Sequence, residues 1–180
     1  MRPRQLLFTG LLASTLLGTG TLLSVETPTT AQASTLKTFP KKMRGTWYYY
    51  NHQNHHYYKT RITAKAMIFD GYKETLHSRK SLFYHGNPKN RQKYARWITA
   101  EHVYTTDDDD FIHTYGWYQG AGSGEFYQRT NNQLGGKLRP ALQYCHGAGI
   151  ITQGYAYRTK ALAKRYARAR FAEDVYASSY

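Results

Sequence analysis

Residues 44–58 read RGTWYYYNHQNHHYY and set three histidines, His52, His55 and His56, among one tryptophan and five tyrosines. Imidazoles this close raise the question of zinc, which needs three or four nitrogen, sulfur or oxygen donors converging on one ion. Adjacent His55 and His56 point to opposite sides of an extended chain. Asn51, Gln53 and Asn54 mark the stretch as a loop between two strands. The expectation is therefore no metal and no cofactor, and a hairpin tip whose charge rises below about pH 6.5.

Other reactive groups are sparse. Asp107, Asp108, Asp109 and Asp110 run consecutively and lack the alternating spacing of a calcium loop, so a solvated turn is expected. Glu101 and Glu125 are the pair from which carboxylate-based hydrolysis could be built. The remaining acids of the central region are Asp70 and Glu74. No G-x-S-x-G, H-E-x-x-H or P-loop pattern occurs. Ser123, in Gly122-Ser123-Gly124, lacks the strand-to-helix elbow of a serine nucleophile. Cys145 is the single cysteine, so no internal disulfide forms, and a buried structural thiol is expected.

The first 33 residues have the form of a leader. Arg2 and Arg4 precede an apolar run over residues 6–17, and Ala31-Gln32-Ala33 offers a small-x-small cleavage pattern, with Ser34 as the expected mature N-terminus. The whole chain has a net charge of +14. Beyond residue 33 it holds 23 basic and 10 acidic side chains, a net +13. Such an excess favours polyanionic neighbours.

The positioning elements follow from periodicity. Residues 34–44 form a lead-in. From Gly45 the dominant period is two, the signature of strands. Thr60, Ile62, Ala64, Ala66 and Ile68 fall on one face of one expected strand, with Asp70-Gly71 as a hairpin turn after it. Strands are expected to return over 75–84, and to run over 93–104, 111–118, 125–130, 142–146 and 150–158. Breaks are expected at Gly86-Asn87-Pro88, within the acidic run, and over 120–124 and 131–136. About eight short strands with such turns predict a mainly β fold, an antiparallel barrel or sandwich spanning 45–158. Residues 159–175 contain neither Gly nor Pro. On a helical projection Leu162, Tyr166, Ala169 and Tyr176 share one stripe. Lys160, Lys164 and Arg168 face away from it, flanked by Arg165 and Arg170. A C-terminal amphipathic helix with its tail over 159–180 is expected to dock on the barrel.

Two resemblances rest on these residues. TFPKKMRGTWYYY at 38–50, followed by ITAKAMIF at 62–69, resembles the start of a group of small secreted proteins of lactic-acid bacteria. Gly45-Thr46-Trp47 is similar to the Gly-x-Trp signature on the first strand of lipocalin-like barrels. The second resemblance implies that Trp47 plugs one barrel end and that a basic residue closing the last strand, here Arg158, packs against it. The functional expectation is a secreted, non-enzymatic protein associating with anionic envelope polymers or a membrane surface. Its basic sites would be Lys160, Lys164, Arg165, Arg168 and Arg170, with Lys41, Lys42 and Arg44 as a second cluster. Two alternatives stand beside it: a carrier of a small apolar ligand in the barrel interior, and a hydrolase of a cell-wall polymer. Specific recognition of nucleic acid is not expected.

Overall fold

The computed structural model describes residues 35–80, 91–105 and 109–177. The leader expected over 1–33 lies outside them, as do the break at Gly86-Asn87-Pro88, residues 81–84 of one expected strand, Asp107, Asp108 and the last three residues. A 3-10 turn at Lys41–Met43 leads into nine strands: β1 (Gly45–Asn51), β2 (His56–Ile62), β3 (Ala66–Phe69), β4 (Tyr72–Leu76), β5 (Trp97–Tyr104), β6 (Asp110–Gly116), β7 (Glu125–Leu134), β8 (Lys137–His146) and β9 (Ile151–Tyr157). Among the described residues two short helices accompany them, α1 (Arg91–Tyr94) before β5 and α2 (Lys160–Arg165) after β9. The strands close in sequence order into a barrel.

The ring holds nine strands rather than about eight, and it is not wholly antiparallel. A closed ring with an odd number of strands needs at least one parallel pair, because alternating directions cannot meet themselves. That pair is β4 with β5, registered Thr75↔Trp97 and Leu76↔Ile98. A parallel neighbour cannot be reached by a tight turn, and here the connection includes α1. The extra strand comes from residues 60–68, expected to be continuous. Thr63 interrupts them: its N–H donates to the Ala66 carbonyl at 2.8 Å, and its Oγ1 accepts from the Lys65 N–H at 3.3 Å. This local side-chain turn outcompetes the ladder. It also shifts the pattern, so that Met67 rather than Ile68 joins Ile62 in the core. Asp70 and Gly71 do form the next hairpin, both with positive φ. Residues 131–134, expected in a turn, extend β7, because Gly135 and Gly136 alone make the left-handed two-residue turn to β8.

The C-terminal helix is also shorter than expected. Thr159 caps α2 by accepting the Leu162 N–H at 3.2 Å. The helix ends at Arg165, and the tail folds back along β9. Asp174 draws it there by accepting from Tyr176 at 2.6 Å, from Gln143 at 3.0 Å and from Tyr155. The Thr152 N–H donates to the Val175 carbonyl at 2.7 Å. Leu162 and Tyr166 pack over Tyr50, Tyr155 and Tyr157 on the outside of the barrel.

One barrel end is sealed. Trp47 is 0% exposed, and its Nε1 donates to the Met43 carbonyl at 2.7 Å. The Arg158 guanidinium lies 3.4 Å from the centre of the indole. It donates to the carbonyls of Arg44 at 3.0 Å and Thr46 at 3.4 Å. Gly45 has φ of 116°, and a Cβ there would stand 2.3 Å from the Arg158 Nη1. The Gly-x-Trp spacing thus leaves room for the guanidinium and presents the ring to it. Phe39, Met43, Ile62 and Met67 fill the space around Trp47.

Removal of the ring in Trp47→Ala is expected to cost about 3–5 kcal/mol. Arg158→Ala should cost less, and the double variant less than the sum, because the two groups touch. Denaturant titration of the cycle measures the coupling, and additive losses would contradict the packing described.

Candidate functional site

The opposite end of the barrel is open. On β1, Trp47, Tyr49 and Asn51 face the interior, whereas Tyr48 and Tyr50 lie outside against α2 and its neighbours. The tyrosines of the 44–58 stretch are therefore divided between two jobs. At the open end the interior positions remain partly exposed and surround a cup of about 340 Å³. Its walls are Tyr49, Asn51, Tyr58, Thr60, Phe69, Tyr127 and Tyr144, over a floor of Leu142 and Ala156. The rings hold one another: Tyr49 meets Tyr144 edge-on at 5.2 Å and Tyr58 at 6.2 Å, and Phe69 lies 6.5 Å from Tyr127. Gly154 makes this possible, because a Cβ there would press to 3.2 Å from both Tyr49 and Tyr144.

Beside the cup lies a second cavity of about 560 Å³, bordered by Glu74, Thr114, Glu125, His146 and the 115–124 loop. Tyr127 forms part of both walls. Glu74 is half-buried and Glu125 stands exposed at the lip. Burial raises the Glu74 carboxyl above its ordinary range, and the neighbouring Glu125 raises it further. Burial raises Glu125 as well, opposed by His146; its exposure makes this the weaker perturbation. The Tyr127 phenol is pushed up by its burial and then by both carboxylates.

The structure brings Glu125 to Glu74, not to Glu101. Glu101 pairs with His113, and Thr114 pairs with Glu125, so alternation places Glu101 and Glu125 on opposite faces of the sheet. Glu101 stands 3.9 Å from the His113 Nδ1, and burial raises its carboxyl. Cys145 is fully buried, 3.7 Å from the Thr152 hydroxyl, and burial pushes its thiol up to about 12. His52 and His55 lie in the β1–β2 turn and His56 opens β2. Asn51 closes that turn by accepting the Gln53 N–H at 2.8 Å, and Tyr50 bonds His55 at 3.0 Å.

The basic residues separate into three places. Lys160, Lys164 and Arg165 are exposed on α2, with Lys160 5.2 Å over Tyr57 and Lys164 5.9 Å over Tyr50. Arg168 and Arg170 are not on the helix; they line a groove with Tyr49, His52, Gly154 and Tyr176. At the sealed end Lys41 is exposed, while Lys42 pairs with Asp110 at 2.9 Å. The Arg44 Nε and Nη2 both donate to the Phe39 carbonyl, at 2.9 and 2.8 Å. Glu74 and Tyr127 were not singled out from the sequence. Their signal is parity: each lies two positions from a core residue on its own strand or across the hairpin, and so shares the inner face.

Among known proteins, the chain matches no family model, no curated protein and no solved structure.

The raised Glu74 carboxyl carries a pH signature. A carboxyl whose folded value exceeds its unfolded one contributes stability that is present at low pH and lost as pH climbs through the folded value. Glu74→Gln should therefore raise the melting temperature at pH 7 and leave it little changed near pH 4. The gap between variant and wild type should widen with pH, with a smaller gap for Glu125→Gln. Parallel melting curves across pH would show that Glu74 is fully solvated.

Proposed function

We propose that the chain is an exported, lipocalin-like carrier that holds a small ligand in the tyrosine-lined cup and catalyses no reaction on it. The observation that supports this is the contrast between the two ends of one interior. Around Trp47 every inward position is packed. Around Tyr49, Tyr58 and Tyr144 the same strands leave about 340 Å³ open, within the range of roughly 300–1,000 Å³ typical of small-molecule sites. The stacking of Arg158 on Trp47 beside Gly45 supports the lipocalin-like reading. The hydrolase alternative drew on Glu101 and Glu125, which face opposite sides of the sheet. The neutral fluorophore N-phenyl-1-naphthylamine should brighten saturably on titration with the protein. Thr60→Trp, which fills the cup, should abolish the signal; an undiminished signal would place the binding elsewhere.

A second reading concerns where the carrier resides. Lys160, Lys164 and Arg165 project from α2, and among the described residues no carboxylate lies within ion-pair distance of them. Unpaired surface cations attract polyanions at long range, and salt screens them within about 8 Å at physiological strength. The protein should co-sediment with cell envelopes at low salt and be released by roughly 0.5 M salt. The triple change to Ser at 160, 164 and 165 should reduce retention without altering the fold. Retention unaffected by salt or by these changes would reduce the helix face to a solvated surface.

A further inference from the structure

The charge lining the open end is opposite to that of the molecule. The chain carries 25 Lys and Arg against 11 Asp and Glu, yet among the described residues no Lys or Arg borders the cup or the cavity beside it. The acids there are Glu74, half-buried, and Glu125, at the lip. Among the described residues neither carboxylate has an ion pair or a hydrogen-bond donor. This contrasts with Asp110 and Asp174, each of which is held by two or more donors. Tyr127 adds an independent sign. It is 8% exposed, it borders both cavities, and its hydroxyl has no hydrogen-bond partner among the described residues. Its ring is nearly buried, but its oxygen is not among the sealed atoms that lack a partner, so the hydroxyl keeps access to the cavity space. Two unpaired carboxylates and an unpaired phenol converge on one space, next to a cup walled by aromatic rings.

The geometry points to an organic cation as the ligand: an amine whose ammonium sits between Glu74 and Glu125 beside the Tyr127 hydroxyl, and whose apolar body fills the tyrosine cup. This rests on the carrier reading of the cup and adds the chemical class of what is carried. An ammonium supplies what the site lacks. It donates to both carboxylates and to the phenol oxygen, and it is attracted by the faces of Tyr127 and Phe69. An anionic ligand would meet the two acids with no Lys or Arg among the described wall residues, and only His146 stands there to offset them. The positive field of the whole molecule opposes entry of a cation, but at physiological salt it is screened within about 8 Å. The contacts inside the mouth are shorter than that and dominate once the ligand is seated.

The test uses two probes with the same body, 2-phenylethylamine and 2-phenylethanol, titrated calorimetrically into the purified protein at pH 7. The amine should bind on the order of tenfold more tightly. Glu74→Gln combined with Glu125→Gln should abolish that preference while leaving the alcohol affinity intact, and Tyr127→Phe should reduce it in part. Melting curves check each variant, and Glu74→Gln alone serves if the double variant does not fold. Equal affinity for the two probes, or a preference that survives Glu74→Gln and the double variant, overturns the cation assignment and leaves the carrier reading standing. If neither probe nor the neutral naphthyl fluorophore binds, both readings fall together.

Discussion

Arg158 lying across Trp47 is the contact on which the barrel depends, because it fastens the seam where the sheet must close. β9 and β1 register only at Tyr48↔Tyr157, a thin join for the first and last strands of a ring. Arg158, the next residue along, extends the join with side-chain hydrogen bonds to the carbonyls of Arg44 and Thr46. Its guanidinium is then trapped between the bare Cα of Gly45 and the indole. The lead-in is held by the same knot, because the Trp47 Nε1 donates to Met43 and Arg44 donates to Phe39. A seal this tight at one end leaves the other free to remain open, since the barrel does not need its full interior filled to hold its shape.

Much of this was legible in the residues, and the reasons differ from place to place. Asp70-Gly71 announced its hairpin because few residues tolerate the left-handed region, and the Gly- and Pro-free run from Thr159 announced a helix after the last strand. What was not legible depended on partners distant in sequence. The end of α2 is set by Asp174 reaching β8 and β9, and helix propensity alone cannot foresee that competition. The break at Thr63 turns on one hydroxyl choosing a local bond over a ladder. The parallel β4–β5 pair follows from closure and not from either strand. The basic stripe was drawn on a longer helix than exists, so Arg168 and Arg170 moved to a groove and only Lys160, Lys164 and Arg165 remained together. The opening stretch was read correctly as alternating, but alternation does not say which end of an inward face is filled.

Charge is sorted by depth and by end. Cations dominate the outer surface, where Lys160 and Lys164 hover over tyrosine faces. The acids are given separate tasks: Asp110 anchors Lys42 and His102 at the sealed end, Asp174 pins the tail, and Glu74 and Glu125 occupy the mouth. This division lets one small barrel present opposite electrostatic faces to the outside and to its own interior.

The odd strand count also divides the pairings into local and distant ones. The long β7–β8 ladder folds around a two-glycine turn and draws on neighbours in the chain, so its loop-closure entropy is small. The β4–β5 pair must wait for a crossover, and the β1–β9 seam joins segments at opposite ends of the described chain. Non-local pairings of this kind slow folding relative to hairpins. A sheet left unclosed would present two unpaired edges, β1 and β9, which are the surface for exchange between molecules. The side chain that fastens those two edges is the arginine just past the last strand, so the contact that closes the ring also withdraws its edges from other copies of the chain.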